Sequence, residues 1–122
     1  MKKTFEKVKQ NEYASSRKTF ILSKSTRKDK KFMLDMGDMV HHFGGDGYRD
    51  YTLMNLKSSK FYEPNRENRE RIKRNYLARH KNDLKGIHSS STLSDMLLWN
   101  KPTLKQSIKD YEKKYNVTIK TI

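Results

Sequence analysis

The longest unbroken apolar run in this chain is four residues, Met96-Leu97-Leu98-Trp99. A membrane-spanning helix needs about 20, so no segment reads as one, and a core has to be assembled from short, separated pieces. Those pieces are few, because 33% of the 122 residues are apolar and 34% are charged. Yet seven Tyr, five Phe and one Trp are more rings than a disordered chain carries, since such chains lack the apolar surface that offsets ordering entropy. The expectation is one small domain with a thin core over residues 17–122, preceded by a basic arm over residues 1–16. The first residues, MKKTFEKVKQ, hold lysines but no apolar h-region and do not read as a secretory signal. With no cysteine, disulfides and thiolate metal sites are excluded.

Periodicity divides the domain in two. KTFILSK (18–24) has strand composition and is followed by a polar turn over 25–30. Residues 31–36 alternate in part, and Gly37-Asp38 is a turn dipeptide before a third apolar stretch at 39–43. These segments predict a three-stranded antiparallel meander. The second half reads helical. Pro64 suits a first turn, Glu63 and Glu67 favour that end through the helix dipole, and Ile72, Tyr76 and His80 recur at i, i+4, i+8 towards a stop at Gly86, with Lys81 and Lys85 near the end. A short helix is expected at about 92–100, with Thr92 and Asp95 as a weak capping box. Asn100-Lys101-Pro102 breaks the chain before Leu104, Ile108, Tyr111 and Tyr115 mark the cleanest helical stripe. VTIKTI (117–122) alternates like a short last strand. The predicted class is α+β, a small antiparallel meander covered by two to three helices.

The net charge of +14 limits what the chain can bind. Self-repulsion at this level costs stability, and an anionic partner relieves it. Nucleic acid comes first, an anionic membrane surface or acidic protein next, and charge alone does not separate them. The charge is spread along the chain, and within 63–85 eight Lys or Arg face four acids. Arg66, Arg69, Arg71, Lys73, Arg74, Arg79 and Lys81 surround a narrow apolar stripe. Five of the seven are Arg, whose planar fork binds phosphate bidentately. Pairs at i, i+4, Glu67 with Arg71 and Glu70 with Arg74, would suit a merely solvated face but leave a surplus of bases. The helix is therefore a candidate phosphate-contacting surface. Lys105, Lys109 and Lys113, opposite the Leu104 stripe, form a second basic surface. No helix-turn-helix pattern, RNA-recognition signature or Cys/His finger is present, so base-specific readout has no support.

HHFGGDGYRDYT (41–52) has the residue types of a catalytic or phosphate site. Adjacent strand residues point to opposite faces, which separates His41 from His42 as ligands for one metal. A strand His with a later Asn and a helical His is also the order of an HNH-type nuclease, with His42 and His80 in those places. The glycines lack the Lys-Ser/Thr of a P-loop, and Asp46 would repel phosphate. The stretch is better read as a structural turn of His42, Phe43, Gly44, Gly45, Gly47, Tyr48, Asp50 and Tyr51. In it the glycines supply positive φ, and Tyr48 and Tyr51 anchor the exit from the sheet by packing on the core. Trp99, beside Leu97 and Leu98, is read as core. Neither a metal nor a cofactor is called for.

Three blocks together, VHHFGGDGYRDYT (40–52), RNYLARH (74–80) and LLWNKPTLKQSIKDYEKKYN (97–116), give the chain a family likeness. It resembles the small basic domain of unknown function that recurs in nucleocytoplasmic large DNA viruses of algae and protists. The His-Phe-Gly element falls on His42, Phe43 and Gly44. The Tyr-x-Asp-Tyr-Thr element falls on Tyr48, Asp50, Tyr51 and Thr52, and the helical element on Arg74, Tyr76, Arg79 and His80. The insert over 53–61 and the N-terminal arm depart from the pattern. The resemblance implies a viral setting, in the virion and in the host cytoplasm or nucleus during infection, and no catalytic residue. The expected function is therefore non-enzymatic binding of nucleic acid, DNA ahead of RNA, for genome packaging or condensation. The alternative is a minor capsid or matrix protein bridging larger acidic shell proteins; a metal-dependent nuclease stands third.

Overall fold

Three antiparallel strands lie where alternation placed them: β1 Thr19–Lys24, β2 Lys30–Asp35 and β3 Val40–Gly45. The computed structural model describes residues 17–83, 86 and 89–122. The expected arm over 1–16, and the place near the helix end read for Lys85, lie outside the described residues. In β1 every second residue turns inward, so Phe20 and Leu22 are buried while Thr19 and Ile21 are exposed. Leu22 pairs across β2 with Leu34, and Phe32 of β2 pairs with Phe43 of β3. Gly37 turns the β2–β3 corner at φ +94°, where its N–H donates to the Asp35 carboxylate at 2.9 Å. The last strand, β4 Thr118–Thr121, joins the other edge and pairs parallel with β1, for a sheet order β3-β2-β1-β4. The α+β class stands. The sheet, however, is mixed, because β4 returns to the start of the chain and not to its nearest strand in sequence.

Among the described residues, four α-helical segments accompany the sheet. The single turn α1 spans Tyr51–Met54, α2 spans Arg66–His80, α3 spans Ser90–Leu93 and α4 spans Leu104–Tyr115. Pro64 lies one residue ahead of the α2 cap and not within the first turn: Asn65 accepts from the N–H of Asn68 at 3.0 Å. The helix also ends at His80, well short of Gly86. For α3 the cap is Ser89, not Thr92. Thr92 sits inside the helix, and its hydroxyl donates to the Gly86 carbonyl at 2.6 Å. A π-helical turn, Ser94–Leu98, continues α3 and ends at Trp99. Thr103 caps α4, and Asn116 ends it at φ +54°.

Phe20, Leu22, Leu34, Phe43 and Ile119 from the sheet meet Leu93, Leu97, Leu98, Trp99 and Tyr111 in one core. The four-residue apolar run thus places three members in the centre, and Trp99 is core as expected. Its indole stacks on Tyr76 of α2 with centroids 4.0 Å apart and planes 5° from parallel. One strand position tolerates no side chain. Gly44 has φ +77°, and a Cβ there would stand 2.7 Å from Leu98 Cδ1. Gly44→Ala should therefore cost about 1–3 kcal/mol, since backbone strain adds to overpacking of the core. The denaturant midpoint, at unchanged slope, reads this directly.

Candidate nucleic-acid interface

The glycine-rich stretch delivers the chain from sheet to helices, though not quite as its composition suggests. Strand β3 runs through Gly45, so the turn proper is 46–48. Positive φ occurs at Gly44 and Gly47 but not at Gly45. At Gly45 the missing side chain serves proximity instead: a Cβ would lie 2.8 Å from the Tyr48 ring. Tyr51 is the buried anchor, whereas Tyr48 is 73% exposed. Tyr48 is therefore not a core anchor; its ring rests on bare backbone at the surface.

Asp50, buried beside it, organises the junction. Its carboxylate accepts from Lys31 Nζ at 2.7 Å, from the Thr52 hydroxyl at 2.5 Å and from the N–H of Leu53 at 2.9 Å, which caps α1. The same ammonium donates to the Tyr48 carbonyl at 2.5 Å. From α1, the Tyr51 hydroxyl donates to Glu70 of α2. Lys73 Nζ lies 4.6 Å above the Tyr51 ring and donates to the Asn100 carbonyl at 2.6 Å. Arg69 donates to the Glu63 carbonyl at 2.6 Å. These contacts fix the rotation of α2 about its axis.

The six bases of α2 and Lys81 at its C-cap consequently divide. Arg69 and Lys73 are half-buried and bond to backbone carbonyls of the fold. Arg66, Arg71, Arg74, Arg79 and Lys81 are exposed. At about 100° per residue, Arg66, Lys81, Arg74 and Arg71 fall on one arc of the helix, and Arg79 falls on the far side. The pairs that a solvated face would use are not formed: Glu67–Arg71 and Glu70–Arg74 are absent from the ion pairs among the described residues. Glu70 is occupied by Tyr51 instead. Helix α2 buries no residue completely. Lys105, Lys109 and Lys113 of α4 are exposed as expected.

Two clefts open near these surfaces. One, of about 320 Å³, lies between the glycine turn and α2 and is lined by Tyr48, Arg49, Tyr76, Arg79, His80 and Trp99 among others. In the sequence, the sign for Arg49 is its place between Tyr48 and Asp50. The other, a groove of about 1090 Å³, has Phe32, Leu53, Leu56, Phe61 and Leu104 among its walls and Lys24, Lys28, Lys30 and Lys60 among its cations.

The histidines are engaged separately. His42 Nδ1 is 2.8 Å from the Ser25 hydroxyl, while His80 Nδ1 is 2.7 Å from the Asp83 carboxylate and its ring packs on Tyr76. Among the described residues no group of three or more His, Cys, Asp or Glu could hold a metal ion. Nor, among them, is any helix long and apolar enough to cross a membrane.

Three tyrosines give the domain an alkaline limit. Burial raises the Tyr76 hydroxyl well above its ordinary value of 10.0, with Asp95 and Asp83 adding to the effect. Burial likewise raises Tyr111, with a smaller effect from Tyr115, and raises Tyr51, where Glu70 adds to it. A raised folded-state pKa means stability that is complete below the unfolded value and is lost as pH rises through the folded one. The domain should thus lose stability above pH 10.0. Phenolate absorbance should show a late class of tyrosines that ionises together with the loss of circular dichroism.

No known protein family, curated protein or solved structure matches this chain.

Proposed function

We propose that the protein binds nucleic acid through phosphate contacts without sequence specificity and has no enzymatic activity. The observation that carries this is the outward arc of α2. There Arg66, Arg71 and Arg74 are exposed and have no acidic partner among the described residues. Arginine forks in such a row match phosphate oxygens, and the net charge of +14 favours an anionic polymer over a single small anion. The lysine face of α4 supplies a second contact for a polymer. The resemblance read in residues 40–52, 74–80 and 97–116 of the sequence implies the setting we propose: a virion-associated protein acting on the viral genome in packaging or condensation, in host cytoplasm or nucleus during infection. Duplex DNA should bind at low salt and be released steeply as salt rises, because neutralised phosphates free their counterions. Fluorescence anisotropy over a salt series tests this, and affinity that ignores salt would overturn it.

A second reading has one observation of its own. The 1090 Å³ groove joins an apolar wall to Lys24, Lys28 and Lys30, which form no ion pair among the described residues, and this suits an acidic, partly apolar segment of a larger shell protein. On this reading the chain is a minor capsid or matrix component. Leu56, 51% exposed in that wall, separates the two. Leu56→Glu should abolish binding to such a shell protein and leave the DNA titration unchanged.

A further inference from the structure

We propose that the cleft between the glycine turn and α2 holds one unstacked nucleobase with its phosphate, so that the protein prefers single-stranded nucleic acid or nucleotides at this point. The proposal rests on the nucleic-acid reading and adds to it a ligand class and a site. Four observations converge on the cleft.

The first is the exposed ring. Tyr48 is 73% exposed yet is positioned, because Gly45 leaves room for it where a Cβ would stand 2.8 Å away. A fixed aromatic face open to solvent is what a base stacks on. The second is charge. Arg49 and Arg79 line the cleft, are exposed, and have no ion-pair partner among the described residues. Its carboxylate, Asp50, is already neutralised by Lys31 at 2.7 Å, so the lining presents a net positive charge. The third is size. About 320 Å³ is at the lower end of small-ligand sites, which span about 300–1,000 Å³; a nucleotide fits that scale and a duplex does not. The fourth is the wall opposite the turn. Ser94 and Leu98 of the π-helical turn, with Trp99 and Tyr76, form it, and single π turns occur often at functional sites. The off-arc position of Arg79 and the exposure of Tyr48, both unexplained by the phosphate arc, are accounted for together.

The chain has one tryptophan, and it lines this cleft. Its emission therefore reports on occupancy. Equilibrium dialysis and Trp99 fluorescence on the full chain would be run with adenosine monophosphate, ribose 5-phosphate, inorganic phosphate, single-stranded oligo(dA) and a DNA hairpin. The expected result is saturable binding of adenosine monophosphate and oligo(dA) with a change in Trp99 emission, and none with ribose 5-phosphate or inorganic phosphate. Tyr48→Ala should weaken both by about tenfold or more, and Tyr48→Phe should restore them. Arg49→Gln/Arg79→Gln should weaken the monophosphate more than the free nucleoside. Circular dichroism confirms that each variant is folded. Ribose 5-phosphate binding as well as the nucleotide, no saturable nucleotide binding, or a folded Tyr48→Ala that binds like the parent would each overturn the proposal. Failure of the phosphate-arc reading looks different: hairpin binding indifferent to substitution of Arg66, Arg71 and Arg74, with the Trp99 response intact.

Discussion

Lys31→Met should destabilise the domain by about 3–5 kcal/mol, a large part of the 5–15 kcal/mol that ordinary domains possess. The side chains of Lys31 and Asp50 are 11% and 2% exposed. Removing the ammonium leaves a carboxylate out of water, and the hydroxyl of Thr52 and the N–H of Leu53 replace only part of its hydration. The loss is structural before it is functional, since Asp50 caps α1 and Tyr51 beside it holds Glu70 of α2. Lys31→Met/Asp50→Asn should recover much of the loss, because no charge remains buried and Asn still caps a helix. Urea midpoints of the parent, both single variants and the double variant give the coupling. A Lys31→Met loss below about 1 kcal/mol would mean that solvent reaches the pair and that it does not organise the junction.

The second large effect concerns binding. Arg66→Gln/Arg71→Gln/Arg74→Gln should leave the fold intact, because these three side chains make none of the hydrogen bonds or ion pairs found among the described residues. If each arginine neutralises one phosphate, the slope of log affinity against log salt should fall by about 2.7, at 0.9 per contact. Arg69→Gln/Lys73→Gln removes nearly as much charge from the same helix but should act differently. It breaks the bonds to the Glu63 and Asn100 carbonyls, so it should lower the unfolding midpoint and leave the salt slope close to the parent's. Opposite outcomes for these two multiple variants of one helix separate contact from bulk charge.

Much of this fold could be read from alternation and spacing, and the failures have physical causes. The strands of the meander, the stripe of α4 and the core position of Trp99 follow from local periodicity, which the tertiary structure respects. The parallel attachment of β4 to β1 depends on contacts about a hundred residues apart in sequence, for which VTIKTI carries no local sign. Tyr48 was expected inside because tyrosine beside a turn commonly packs inward. The absence of a side chain at Gly45 let it rest on the backbone instead. Across α2 and its C-cap the sequence exposes seven bases equally. Only the helix rotation, set by Tyr51, Glu70 and the carbonyls of Glu63 and Asn100, distinguishes those that hold the fold from those facing solvent. Arg49 has no periodic signal in the sequence, because it is a lone arginine in a loop, and only the cleft gives it neighbours.

A salt-dependent titration of duplex DNA, run beside an acidic polypeptide of matched charge, tests most directly whether this helix surface grips phosphates. Phosphate contact predicts a steep slope on DNA that drops in the Arg66, Arg71, Arg74 variant, and weaker, shallower binding to the polypeptide. Equal slopes on both polymers, unaltered by the substitutions, would contradict it and reduce the interaction to net charge.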